Sequence, residues 1–93
     1  MRHLLLVDIK NSSKIRPTKL WAVLNNLAIR VNSKFNLAVP MVITLGDEFQ
    51  MVCQRKEQAF EVLEFIQKHL KNIEFRAVLT AYDKNTKPIS SLK

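Results

Sequence analysis

Ile43-Thr44-Leu45-Gly46-Asp47-Glu48-Phe49-Gln50 brings two short apolar runs together at a tight turn carrying adjacent carboxylates. Gly46 is the only glycine among the 93 residues. A turn that needs positive φ takes glycine at no steric cost, so a lone glycine marks a required backbone shape. Met41 to Leu45 and Phe49 to Gln54 therefore read as the two strands of a hairpin. Alternation puts Phe49, Met51 and Cys53 on one face of the second strand and Gln50, Val52 and Gln54 on the other. On turn chemistry alone, Asp47 and Glu48 are either a solvated hairpin tip or ligands for a cation. The second reading needs a third acid nearby.

Working outward, Pro40 closes the connection before the hairpin. Upstream of it, Leu20, Leu24, Leu27, Val31 and Phe35 recur at spacings of four, three, four and four, the stripe of an amphipathic helix that Pro17 suits as its first turn. Trp21 and Ala28 join the edge of that stripe, where a tryptophan reads as packing. Lys10 to Ile15 is a polar loop, and His3 to Ile9 is a near-continuous apolar run ending in Asp8-Ile9, the pattern of a central strand. Downstream, Glu57 to Leu70 forms a second amphipathic helix through Ala59, Leu63, Ile66 and Leu70, with Phe60 and Val62 alongside. Ile73 to Tyr82 alternates cleanly as a last strand. Residues 1–82 make one domain, and Asp83 to Lys93 is a polar tail with Pro88, expected to be loose.

The order is β-α-β-β-α-β. It predicts an α+β, ferredoxin-like domain with an antiparallel sheet of order 4-1-3-2 and both helices on one face. In that topology the first strand ends beside the central hairpin, so Asp8 should lie next to Asp47 and Glu48 despite some forty intervening residues. Three converging acids repel one another unless a cation or protons neutralise them. Oxygen-only ligation suits Mg²⁺ or Mn²⁺, which also bind phosphates. The Lys10–Ile15 loop leads into a helix N-terminus that favours phosphate, and Lys10, Lys14 and Arg16 add positive charge there. The competing reading is a structural Asp8 that caps loop amides.

Composition narrows the classes further. A net charge of +7 favours anionic partners, yet the basic residues are scattered singly. The single cysteine, Cys53, excludes an internal disulfide, permits a reducing cytoplasm and reads as a small buried hydrophobe. No apolar run reaches the ~18 residues of a membrane span. His3 and His69 have no companion ligands for zinc, and no Ser-His-Asp or Cys-His set can be assembled. A nucleic-acid-binding domain is the alternative the charge allows, but the RNA-recognition version needs exposed aromatics on the two central strands. The first strand has none, and Phe49 falls on the helix-facing side.

Asp8-Ile9-Lys10-Asn11-Ser12, taken with Ile43-Thr44-Leu45-Gly46-Asp47-Glu48-Phe49-Gln50, resembles the signature of the SatD family over roughly Leu5 to Leu79. More distantly it is similar to the nucleotidyl cyclase core shared by class III adenylyl cyclases and diguanylate cyclases. The resemblance implies that Asp8 and Asp47 are metal ligands, with Glu48 a further candidate and Ile9 contributing a backbone carbonyl. It places Asn11, Ser12 and Ser13 at the phosphates of a nucleotide or other phosphorylated small molecule. It implies a bacterial, cytoplasmic protein with a regulatory or stress-related role. SatD relatives carry a glycine-rich Arg-Phe-Gly-Ile-Gly-type strand and then a helical region, and cyclases carry a base-reading pair and a transition-state cation. Here the fourth strand is Phe75-Arg76-Ala77-Val78-Leu79, and the chain stops soon after. The expectation is a retained metal and nucleotide site without full catalytic equipment, in a fragment or a reduced relative. Leu4, Leu6, Val52, Val78 and Tyr82 would share the sheet face that no helix covers, an apolar patch for a homodimer partner or a further C-terminal segment. A non-catalytic interaction subunit acting through that face is a second alternative.

Overall fold

The computed structural model describes residues 1–45 and 47–82, without the side chains of Leu45 and Tyr82. The elements run β1 (Arg2–Ile9), a 3₁₀ turn (Ser12–Lys14), α1 (Pro17–Lys34), β2 (Val39–Leu45), β3 (Glu48–Cys53), α2 (Lys56–His69) and β4 (Phe75–Tyr82). The sheet order is β2-β3-β1-β4, with every pairing antiparallel. This is the expected ferredoxin-like α+β arrangement. The backbone demanded of Gly46 and the tail from Asp83 onward lie outside the described residues.

Alternation along the two central strands builds the core. Leu5, Val7 and Ile9 of β1 and Phe49, Met51 and Cys53 of β3 face the helices and are all buried. They meet Leu20, Leu24, Leu27 and Val31 of α1 and Ala59, Val62 and Ile66 of α2. The stripe spacing read from the sequence is thus the buried face of each helix. At the far end of α1, Phe35 and Phe65 meet edge to face with centroids 5.7 Å apart, tying the two helices together. Phe60 is the exception to the second stripe and is 55% exposed.

Several boundaries differ from expectation, with β4 beginning at Phe75 rather than Ile73. β2 begins at Val39, so Pro40 lies inside the strand rather than before it. β2 is an edge strand, where a missing N–H leaves no ladder bond unmade, and its register shifts between Val39 and Val42. Asn32 of α1 repairs the local pairing. Its Nδ2 donates to the Met41 carbonyl at 3.1 Å, and the Met41 N–H donates to its Oδ1 at 2.7 Å. Among the described residues, no helix is long and apolar enough to cross a membrane.

Cys53 is fully buried, and loss of hydration pushes its thiol up from 9.0 to about 11. Folding therefore favours the protonated thiol. Its contribution to stability is complete below the unfolded value and fades as pH rises from about 9 to about 11. The alkaline fall in melting temperature across that window should be steeper for the native protein than for Cys53→Ala. Parallel curves would show that the thiol is hydrated.

Candidate functional site

The topology brings the three predicted acids to one end of the sheet. Asp8 stands opposite Glu48 in the β1–β3 register, and the Ile9 N–H donates to the Asp47 carbonyl at 2.9 Å. The side chains divide between two faces. Asp8 and Glu48 occupy the helix-free face, since their neighbours Val7, Ile9 and Phe49 fill the core. Asp47 lines a cavity with residues of α1. Among the described residues, no three His, Cys, Asp or Glu side chains form a group suited to a metal ion. The expected single cluster of three acids is corrected on this point: Asp47 lies in the turn before β3, where its side chain bonds Ser12 instead of joining Asp8 and Glu48.

Each acid has its own partner. Arg76 lies opposite Asp8 on β4, and its Nη2 is 3.8 Å from Asp8 Oδ2. That pair is exposed enough to contribute little to stability. Like charges directly opposite across strands are unfavourable, so Arg76 offsets part of the Asp8–Glu48 repulsion. Glu48 Oε1 accepts from Thr44 Oγ1 at 3.0 Å within the hairpin. Asp47 Oδ2 accepts from Ser12 Oγ at 2.8 Å, joining two segments 35 residues apart.

Ser12 is placed by the turn that follows β1. Asn11 takes the left-handed conformation, φ 55 and ψ 34, which asparagine tolerates better than most residues. The Lys14 N–H then closes on the Asn11 carbonyl and the Ile15 N–H on the Ser12 carbonyl. Sequence reading located this polar loop but assigned the special backbone to Gly46 alone. α1 follows with Pro17 at its start, no side-chain cap from Arg16 and no acid in its first turn. Its leading N–H groups thus keep an uncompensated positive dipole end.

A cavity of about 450 Å³ opens between this turn, the start of α1 and the hairpin. Ser12, Ser13, Ile15, Pro17, Leu20, Trp21 and Asp47 line it, a mostly apolar wall with three convergent polar groups. Trp21 corrects the packing expectation: it is 61% exposed, because the core stripe passes through Leu20, one residue and about 100° away. The expected cations divide. Lys14 and Arg16 are exposed next to the turn, while Lys10 lines a separate concavity with Gln67, Leu70 and Lys71. A larger hollow of about 770 Å³, edged by Lys19, Lys68, His69 and Lys71, lies between the start of α1 and the end of α2 and takes in none of the three acids.

No family model matches the chain, and no curated protein sequence does. Among solved structures it is similar to the de novo designed protein Foldit4, at 17% identity and a TM-score of 0.49, over 89% of this chain and all of that one.

The predicted apolar patch on the helix-free face is uneven. Leu4 and Val52 are buried, Leu6 is half-buried and Val78 is 55% exposed, joined by Val42 of β2 at 46%. The Tyr82 backbone pairs with Arg2, and its side chain lies outside the described residues. Of the rings on the central strands, Phe49 of β3 is fully buried and His3 of β1 is half-buried on the same helix-facing side as Leu5, unlike the exposed aromatics of an RNA-recognition sheet.

Proposed function

We propose that this chain is a cyclase-like domain that binds a divalent cation together with a nucleotide or another phosphorylated small molecule, where the Ser12–Lys14 turn meets the β2–β3 hairpin. One observation carries the reading. The 2.8 Å bond from Ser12 to Asp47 holds a hydroxyl and a carboxylate together at a cavity beside an uncapped helix start. Both are hard oxygen donors, and the neighbouring backbone N–H groups suit phosphate.

The absence of a three-acid cage among the described residues is compatible with this chemistry. Mg²⁺ usually takes one or two carboxylates, keeps several waters and completes its shell with substrate phosphates. By the SatD and cyclase resemblance, Asp47 would be the carboxylate at this cavity and the adjacent Ile9 carbonyl a further ligand; Asp8 and Glu48, which the resemblance also names, lie on the helix-free face. Asn11, Ser12 and Ser13 would meet the phosphates, and Lys14 and Arg16, exposed at the turn, would supply attractive field. Binding rather than turnover is proposed, because β4 carries Phe75-Arg76-Ala77-Val78-Leu79 in place of a glycine-rich strand. Phosphoryl chemistry depends on positioned charge beyond the metal ligands.

The test is thermal melting with Mg²⁺ or Mn²⁺ alone, ATP, GTP or tripolyphosphate alone, and each metal with each phosphate. Metal and phosphate together should stabilise far more than the sum of the two. At about one hundred times Kd the gain is about 2.7 kcal/mol, or roughly 10–20 °C for a domain of this size. An unchanged melting temperature in every combination removes the reading.

A further inference from the structure

Most of the cavity wall serves no phosphate. Ser12, Ser13 and Asp47 are its polar groups; the remainder is Ile15, Pro17, Leu20 and Trp21. Trp21 is not among the residues packed on the hydrophobic core, and 61% of its surface faces solvent. A tryptophan held on a helix with no core to fill, at the edge of a cavity, presents a flat π surface at low entropic cost. Ile29 and Phe60 are about as exposed, at 61% and 55%, but it is Trp21 that borders the cavity beside Ser12 and Asp47.

We infer that the ligand of this site carries a flat aromatic ring stacked on Trp21, and that Trp21 distinguishes a base-bearing phosphate from a bare polyphosphate. The inference rests on the phosphate reading above. It assigns base contact to α1, not to the later strands or partner chain that hold the base-reading pair in the cyclases this sequence resembles. The cavity, about 450 Å³, is within the range that accommodates ligands of this class. Its polar and apolar walls order the ligand, with phosphates at Ser12 and Ser13, the cation at Asp47 and the ring over Pro17, Leu20 and Trp21. Stacking on one aromatic face tolerates any base, so adenine and guanine should both be accepted.

Trp21 is the only tryptophan, so its fluorescence reports this contact directly. With Mg²⁺ present, the full chain is titrated with ATP, GTP and tripolyphosphate while emission and melting temperature are followed. ATP and GTP should change Trp21 emission saturably. Tripolyphosphate should stabilise the protein without that change and bind about tenfold more weakly. Trp21→Ala should reduce ATP affinity to the tripolyphosphate level and leave tripolyphosphate itself unaffected, and Trp21→Phe should recover part of the loss. Equal affinity for ATP and tripolyphosphate in the native protein overturns the inference while sparing the phosphate reading, as does an equal loss of both in Trp21→Ala. Failure of all three ligands to bind overturns both.

Discussion

Asp47→Asn should abolish the stabilisation by Mg²⁺ and ATP while leaving the unliganded melting temperature within about 3 °C of the native value. The two halves of this result have separate causes. An asparagine Oδ1 can still accept the hydrogen from Ser12 Oγ that now spans 2.8 Å to Asp47 Oδ2, so the link between turn and hairpin survives. The substitution removes the negative charge that supplies most of the attraction of this site for a divalent cation. Ser12→Ala should do the opposite, loosening the link by about 1 kcal/mol and weakening ligand binding only in part. Differential scanning fluorimetry across the two variants and the native chain decides the matter. A native-sized ligand shift in Asp47→Asn would rule out a metal–phosphate site at the hairpin.

The largest loss of stability is expected from Phe49→Ala. Phe49 is among the largest fully buried side chains and belongs to the core cluster that the sheet shares with the two helices. Truncating such a residue removes its transfer energy and leaves a cavity, at about 3–5 kcal/mol. A domain of this size has only about 5–15 kcal/mol in all, so the melting temperature should fall by more than about 15 °C. Gln50→Ala provides the contrast. Gln50 lies one position along β3, opposite Leu6 on the other face, and its truncation should cost less than about 1.5 kcal/mol. The comparison tests the register, since a one-residue slip would exchange the two positions. Similar losses for the two variants in urea unfolding would refute the β1–β3 pairing.

The fold around the candidate site was legible wherever local sequence patterns carry the signal. Asp8 and Asp47 could be placed at one end of the molecule because the β-α-β-β-α-β order leaves few topologies, and the Ile9–Asp47 backbone bond shows that the ends meet. The Trp21 cavity left no such trace. A tryptophan at the margin of a helical stripe looks alike in sequence whether it fills a core or borders an opening. The placement of the Asp47 carboxylate was equally hidden, since it turns on how the chain runs at the hairpin and on its bond to Ser12.

Hydrophobic period and turn chemistry were sufficient for six elements, their order and the buried stripe of each helix, because burial imposes spacings of 3.6 and 2 on the chain itself. Packing settled the rest. The edge position of β2 let Pro40 enter a strand, Asn11 took the left-handed turn, and Ser12 was drawn to Asp47 across 35 residues. These outcomes depend on contacts between segments distant in sequence, and no local pattern encodes a contact whose partner lies elsewhere in the chain.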